Sequence, residues 1–135
     1  PIEQLIGISN QYNATLIIDE AHSTGVFGRS GNGLVCSINL SNQVPIRIYT
    51  FGKAMGIHGA CVTGPSLLKE YLINFARPFI YTTASSVHST ASIAAAFTYL
   101  ASQPNLQQTL HHHIQYFIDC VGENSNLLKS SSAIQ

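Results

Sequence analysis

Charge is what this sequence has least of. Charged residues make up 9% of the chain, against roughly a quarter in an average soluble domain. Six basic residues balance six acidic ones to a net charge of zero. There is no basic patch to bind nucleic acid and no acidic tail of the kind that stays disordered. Little charge combined with 45% apolar content marks a piece that is normally buried by more protein, a further domain, a second subunit or both. Cysteine is also sparse. Cys36, Cys61 and Cys120 are widely spaced and odd in number, so they match neither a disulfide framework nor a zinc site. That pattern predicts a reducing, cytoplasmic compartment. No apolar run approaches the roughly 18 residues of a membrane span, and no signal peptide opens the chain. No internal repeat is present. No methionine precedes Pro1, and the 135 residues read as one domain or a segment of a longer protein.

The pattern that remains is that of alternating helices and strands. Ile2, Leu5, Ile6, Ile8 and Tyr12 recur near helical spacing behind Pro1, predicting a helix from Pro1 to Asn13. The run from Thr15 to Ile18, ending at Asp19, predicts a strand covered on both faces, as in parallel sheets. Gly25, Gly28, Gly31 and Gly33 then mark a turn-rich loop that would cover the strand ends, and residues 34–45 hold a short helix and a polar loop. Ile46, Ile48 and Thr50 alternate with Arg47, Tyr49 and Phe51 at the period of a strand. A glycine-punctuated turn follows, and Ala60 to Gly64 forms a second short strand. Pro65 opens a helix with Leu68, Tyr71, Leu72 and Phe75 on one face, and Arg77-Pro78 stops it. Phe79 to Thr82 reads as extended, before a hydroxyl-rich loop. Val87 to Ala101 reads as a helix whose small side chains pack tightly between layers. Pro104 starts a long helix striped by Leu106, Leu110, Ile114, Phe117 and Val121, and from Glu123 the tail is polar. The fold class is α/β, a mixed, mostly parallel sheet with helices on both faces.

Two stretches carry chemistry. The first is Asp19-Glu20-Ala21-His22 at the end of a strand, a box shared with nucleic-acid-dependent NTPases. That reading needs a phosphate loop, G-x-x-x-x-G-K-[ST]. None occurs, and Gly52-Lys53 is followed by Ala54, which lacks the hydroxyl that would hold magnesium. The second is the turn carrying Lys53, one of three lysines. Its neighbours are apolar or glycine, so its amine is expected to be poorly solvated and available to attack a carbonyl. In open α/β sheets ligands sit beyond the carboxyl ends of the strands. If the two strands are neighbours, Asp19, His22, Thr50 and Lys53 meet in one crevice. A lysine for an imine and a carboxylate for a pyridinium nitrogen are what pyridoxal phosphate requires.

The ordered set Asp19-x-x-His22, the glycine loop, Thr50-Phe51-Gly52-Lys53, Gly59-Ala60 and Ile80-Tyr81-Thr82-Thr83 resembles the α-oxoamine synthases, fold-type I enzymes that use pyridoxal phosphate. The resemblance spans Leu16 to about Leu110. It implies that Lys53 carries the Schiff-base linkage and moves the substrate's α-proton. It also implies that Asp19 pairs with the pyridine nitrogen, His22 with the phenolic oxygen and Thr50 with the phosphate. Thr82 or Thr83 would reach the phosphate site of the other subunit of a homodimer. Within the family, GKAMGIHGA is most like members that condense L-alanine with a pimeloyl thioester, on CoA or an acyl carrier protein, in biotin synthesis. Members that use glycine more often have a second glycine where Ala60 stands, and Ser86-Val87 replaces two prolines common in relatives. Glycine acetyltransferases and sphingoid-base synthases are the neighbouring alternatives. An NTPase fragment and a catalytically silent interaction fragment are the alternatives of other classes.

Several expected family features have no counterpart in these residues. They are the ring-stacking side chain, the upstream phosphate segment and the C-terminal domain. The chain therefore reads as the centre of the large domain over residues 1–103, with residues 104–135 a long helix toward the small domain, and is expected to be inactive alone. The other polar residues read as structural. His111, His112 and His113 project about 100° apart on a helix and cannot converge on one metal ion. His58, in the turn beyond Lys53, reads as a packing or locally hydrogen-bonded residue, with its proximity to the crevice leaving a catalytic role open; His88 reads as a helix-start residue and Cys61 as a small buried hydrophobe. Asp119 and Glu123 read as solvated helix charges, and Glu20 as structural.

Overall fold

The computed structural model describes residues 1–122, 128 and 130–134. Helix α1 (Ile2–Gln11) leads to strand β1 (Ile17–Asp19), and after the glycine loop comes the short helix α2 (Leu34–Ser37). Strands β2 (Ile46–Thr50) and β3 (Ala60–Thr63) flank the lysine turn. Four helices follow: α3 (Ser66–Phe75), α4 (Arg77–Ile80), α5 (Val87–Ser102) and α6 (Asn105–Val121). Glu123 lies outside the described residues.

The three strands form one mixed sheet in the order β1-β2-β3. β1 runs parallel to β2, with Asp19 opposite Ile48. β3 returns antiparallel, with Thr50 opposite Ala60 and Ile48 opposite Val62. Because side chains alternate, Asp19, Ile48, Thr50, Ala60 and Val62 share one face. Arg47, Tyr49 and Ile18 share the other. The core lies on that second face, where Ile2 and Ile6 of α1 meet Val35 and Val44, with Leu16, Ile18, Leu34 and Leu40 packed around them. Ile2 and Ile6 are one helical turn apart, the spacing that lets a ten-residue helix dock on a sheet. Burying each such aliphatic side chain contributes about 1.5–3 kcal/mol.

Several segments depart from their sequence reading. β1 begins at Ile17, and Ile17 is 53% exposed, so this strand is covered on one face only. Phe79 and Ile80, expected to be extended, are the second half of helix α4. Pro78 sits in its first turn, where the missing N–H would have had no intrahelical partner anyway. Helix α5 has no buried residue, so its alanines and serines do not pack between layers here. Cys61 is exposed on the edge strand rather than buried. Its thiol is still pushed upward, because the sulfur is partly desolvated against its neighbours.

Candidate functional site

The lysine turn is closed by its own backbone. Phe51 N donates to Gly59 O (2.9 Å), Ile57 N to Phe51 O (3.0 Å) and Gly56 N to Lys53 O (3.0 Å). Phe51 is 4% exposed and meets Phe97 of α5 edge-on, with ring centroids 5.4 Å apart. The turn is therefore anchored from beneath while Lys53 stands at its rim. A cavity of about 380 Å³ opens at the tip of β2, lined by Thr50, Gly52, Lys53, His58, Gly59 and Ala60. Lys53 itself is exposed. Its neighbours are apolar but too small to wall off a long side chain, so the expected desolvation is not found.

Thr50 is the most informative member of this lining. Its hydroxyl oxygen is buried and has no hydrogen-bond partner among the described residues. An unsatisfied buried hydroxyl costs about 1–3 kcal/mol, and a bound acceptor or anion would remove that cost. Asp19 stands at the carboxyl end of the adjacent parallel strand, on the same sheet face as Thr50. Its Oδ1 accepts a hydrogen bond from Ala21 N (2.8 Å), which fixes the start of the loop beyond it. His22 is exposed three positions past Asp19, and neither of the two lines the cavity. Thr82 and Thr83 are exposed in the loop before α5 and lie outside the cavity; the Thr82 hydroxyl reaches only the Thr83 carbonyl, at 3.5 Å. The structure thus brings Thr50 and Lys53 together, sets Asp19 at the end of the adjacent strand with His22 in the turn beyond it, and leaves the threonine pair outside the cavity. His58 belongs with Lys53 and Thr50. Its sequence offered only proximity to the turn as a signal.

Glu20 has a different task from its neighbour. It is 1% exposed, and its two carboxylate oxygens accept from Leu34 N and Val35 N, both at 2.9 Å, while the Ser23 hydroxyl donates to Oε2. The carboxylate thereby satisfies the first amides of α2 and closes the glycine loop. A Cβ on Gly33 would lie 2.9 Å from this carboxylate. The same loop also reaches the lysine turn, where a Cβ on Gly25 would lie 2.9 Å from Ala54 Cβ. With φ at +78°, only glycine sits there without strain. From the other side, Gln107 Nε2 of α6 donates to Val26 O (2.9 Å) and Gly28 O (3.0 Å). A glutamate tied to a helix end is not free to activate water, which removes the NTPase reading of the box. The His111 ring packs on Phe27 at 5.8 Å.

Comparison with known proteins is consistent with this geometry. Residues 1–134 match the family described as aminotransferase class I and II. A putative 8-amino-7-oxononanoate synthase of Geobacillus kaustophilus is 43% identical over 82% of this chain, and this chain covers 29% of that protein. The 8-amino-7-oxononanoate synthase of Emericella nidulans is 42% identical over 86% of the chain, which covers 28% of it. The chain therefore spans less than a third of the length of these relatives. Among solved structures, 8-amino-7-oxononanoate synthase from Francisella tularensis superposes with a TM-score of 0.80 at 31% identity, over 96% of this chain and 39% of that one. Serine palmitoyltransferase from Sphingomonas wittichii superposes with a TM-score of 0.82 at 21% identity, over 98% and 34%, a likeness of fold.

Proposed function

Because this chain belongs to the class I and II aminotransferases, and within them to the α-oxoamine synthases, we propose that it is the central part of an 8-amino-7-oxononanoate synthase dependent on pyridoxal phosphate. The observation that carries this reading is that the Lys53 amine and the Thr50 hydroxyl, which has no partner among the described residues, share one cavity, beside the tip of the parallel strand that ends in Asp19. These residues fit the cofactor: an amine to hold it covalently, a hydroxyl to meet its phosphate and a carboxylate to face its ring nitrogen. When bound, the cofactor supplies an electron sink for a carbanion at the amino-acid α-carbon. Lys53 would hold the cofactor and then carry the α-proton. Asp19 would keep the ring nitrogen protonated, since an opposite charge favours the charged form. His22 would hydrogen-bond the phenolic oxygen. Thr82 and Thr83 would serve the phosphate site of the partner in a homodimer with its active sites at the subunit interface.

The reaction is the condensation of L-alanine with pimeloyl-CoA or a pimeloyl acyl carrier protein. The thiol leaves, the alanine carboxyl departs as carbon dioxide, and a new carbon–carbon bond joins the two substrates. Residues 1–103 would belong to the large, cofactor-binding domain, with the helix from 104 leading toward a small domain. These 135 residues alone supply only part of the site and would be inactive. The test is spectroscopic. Adding pyridoxal phosphate to the full polypeptide should produce the visible band of a lysine-bound cofactor, and Lys53→Ala should abolish it. Alanine, glycine and serine offered with several thioesters would then rank the substrates. ATP hydrolysis stimulated by RNA, with no such band, would overturn the proposal.

A further inference from the structure

We infer that His58 is a second ligand for the phosphate of the cofactor, acting in the cavity that Thr50 also lines. The inference rests on the proposed use of pyridoxal phosphate and goes beyond it by giving a role to a residue that the motif does not assign. Besides Lys53, His58 is the only side chain lining this cavity that can carry a positive charge. Lys53 is committed to the covalent bond, which leaves the dianionic phosphate at Thr50 with a single neutral hydroxyl from this lining. His58 is held in place by its neighbours. Ile57 N donates to Phe51 O and Gly59 O accepts from Phe51 N, so both residues flanking His58 are tied to the residue that follows Thr50. Phe51 in turn is fixed against Phe97. The imidazole is exposed toward the cavity and makes no hydrogen bond among the described residues, so its donors are available. A histidine N–H directed at a phosphate oxygen forms a charge-assisted bond, roughly twice as strong as a neutral one. A packing residue would instead be buried or paired.

Two probes separate phosphate recognition from every other role: pyridoxal 5'-phosphate, and pyridoxal, which has the same aldehyde and ring without the phosphate. Binding is followed in the full polypeptide by growth of the lysine-linked absorbance band. His58→Ala should weaken the apparent affinity for pyridoxal phosphate by about tenfold, and should leave the initial rate of band growth with pyridoxal within about twofold. His58→Gln retains a neutral donor of similar reach and should fall between His58→Ala and the parent. It also provides the comparison if the alanine variant does not fold. An unchanged affinity for pyridoxal phosphate in both variants overturns the inference, and so does an equal loss with both probes. A parent protein that develops no Lys53-dependent band with either probe would instead show that the cofactor reading itself has failed.

Discussion

At the scale of single residues, Thr50 and Lys53 show how sequence context and environment can part company. Thr50 carries a buried hydroxyl with no partner among the described residues, a state that folding alone does not favour. Thr50→Val is therefore expected to leave the protein as stable as before, or more stable by about 1 kcal/mol, because it removes a polar atom that nothing satisfies. The same change should weaken binding of pyridoxal phosphate by at least about tenfold. Urea denaturation without cofactor and titration with it check the two signs, and a fall in both would mean that the hydroxyl serves the fold. Lys53 shows the reverse. Gly52, Ala54 and Gly56 read as an apolar setting, yet they are too short to cover an amine. The position of Lys53 in a turn between two strands was legible in the sequence, but its exposure was not, because burial depends on the size of neighbours in space. The exposure of His58 to the cavity was hidden for a related reason. What marks it is a cavity formed when β3 folds back on β2, and nothing in the order of residues displays that space.

At the scale of elements, much was legible. The strand–turn–strand around Lys53, the helix behind Pro65 and the long helix behind Pro104 all follow from strong local signals: two-residue alternation, and proline where a helix can begin. Adjacency of the Asp19 and Thr50 strands was legible only as a condition on the crevice, and the parallel register meets it. Helix α4 was not legible because Arg77-Pro78 is equally a stop and a start, and a four-residue helix has no periodicity to read. The contact that holds α6 to the glycine loop was likewise invisible. Gln107 makes two hydrogen bonds to carbonyls of that loop from about eighty residues away in sequence. Gln107→Ala should speed amide hydrogen exchange across residues 25–33 by about tenfold while leaving α1 and β1 unchanged. Mass-spectrometric exchange measures this directly, and uniform protection would assign the anchoring of the loop to Glu20 alone.

At the scale of the whole molecule, the sheet has a packed face and an open one. α1 and α2 cover the Ile18 side, whereas Ile48, Val62, Leu68 and Leu72 line an apolar groove of about 720 Å³ between the sheet and α3. Among the described residues no helix is long and apolar enough to cross a membrane. On the packed side, the Tyr49 phenol is pushed up from 10.0 to about 12, first by burial, with Cys36 and Glu20 adding to the shift and Arg47 opposing it. A folded-state value above the unfolded one means that the native chain holds a proton the unfolded chain has lost. The contribution of Tyr49 to stability is therefore complete below about pH 10 and is lost as the pH rises toward 12. The urea midpoint should fall across that window, and Tyr49→Phe should flatten that part of the profile. The cap that Glu20 places on α2 has a consequence for classification. Four letters shared with nucleotide-driven motors say nothing until one asks what the second of them is attached to. Where that acid is bolted to a neighbouring helix, as it is in this chain, the likeness is only a matter of spelling.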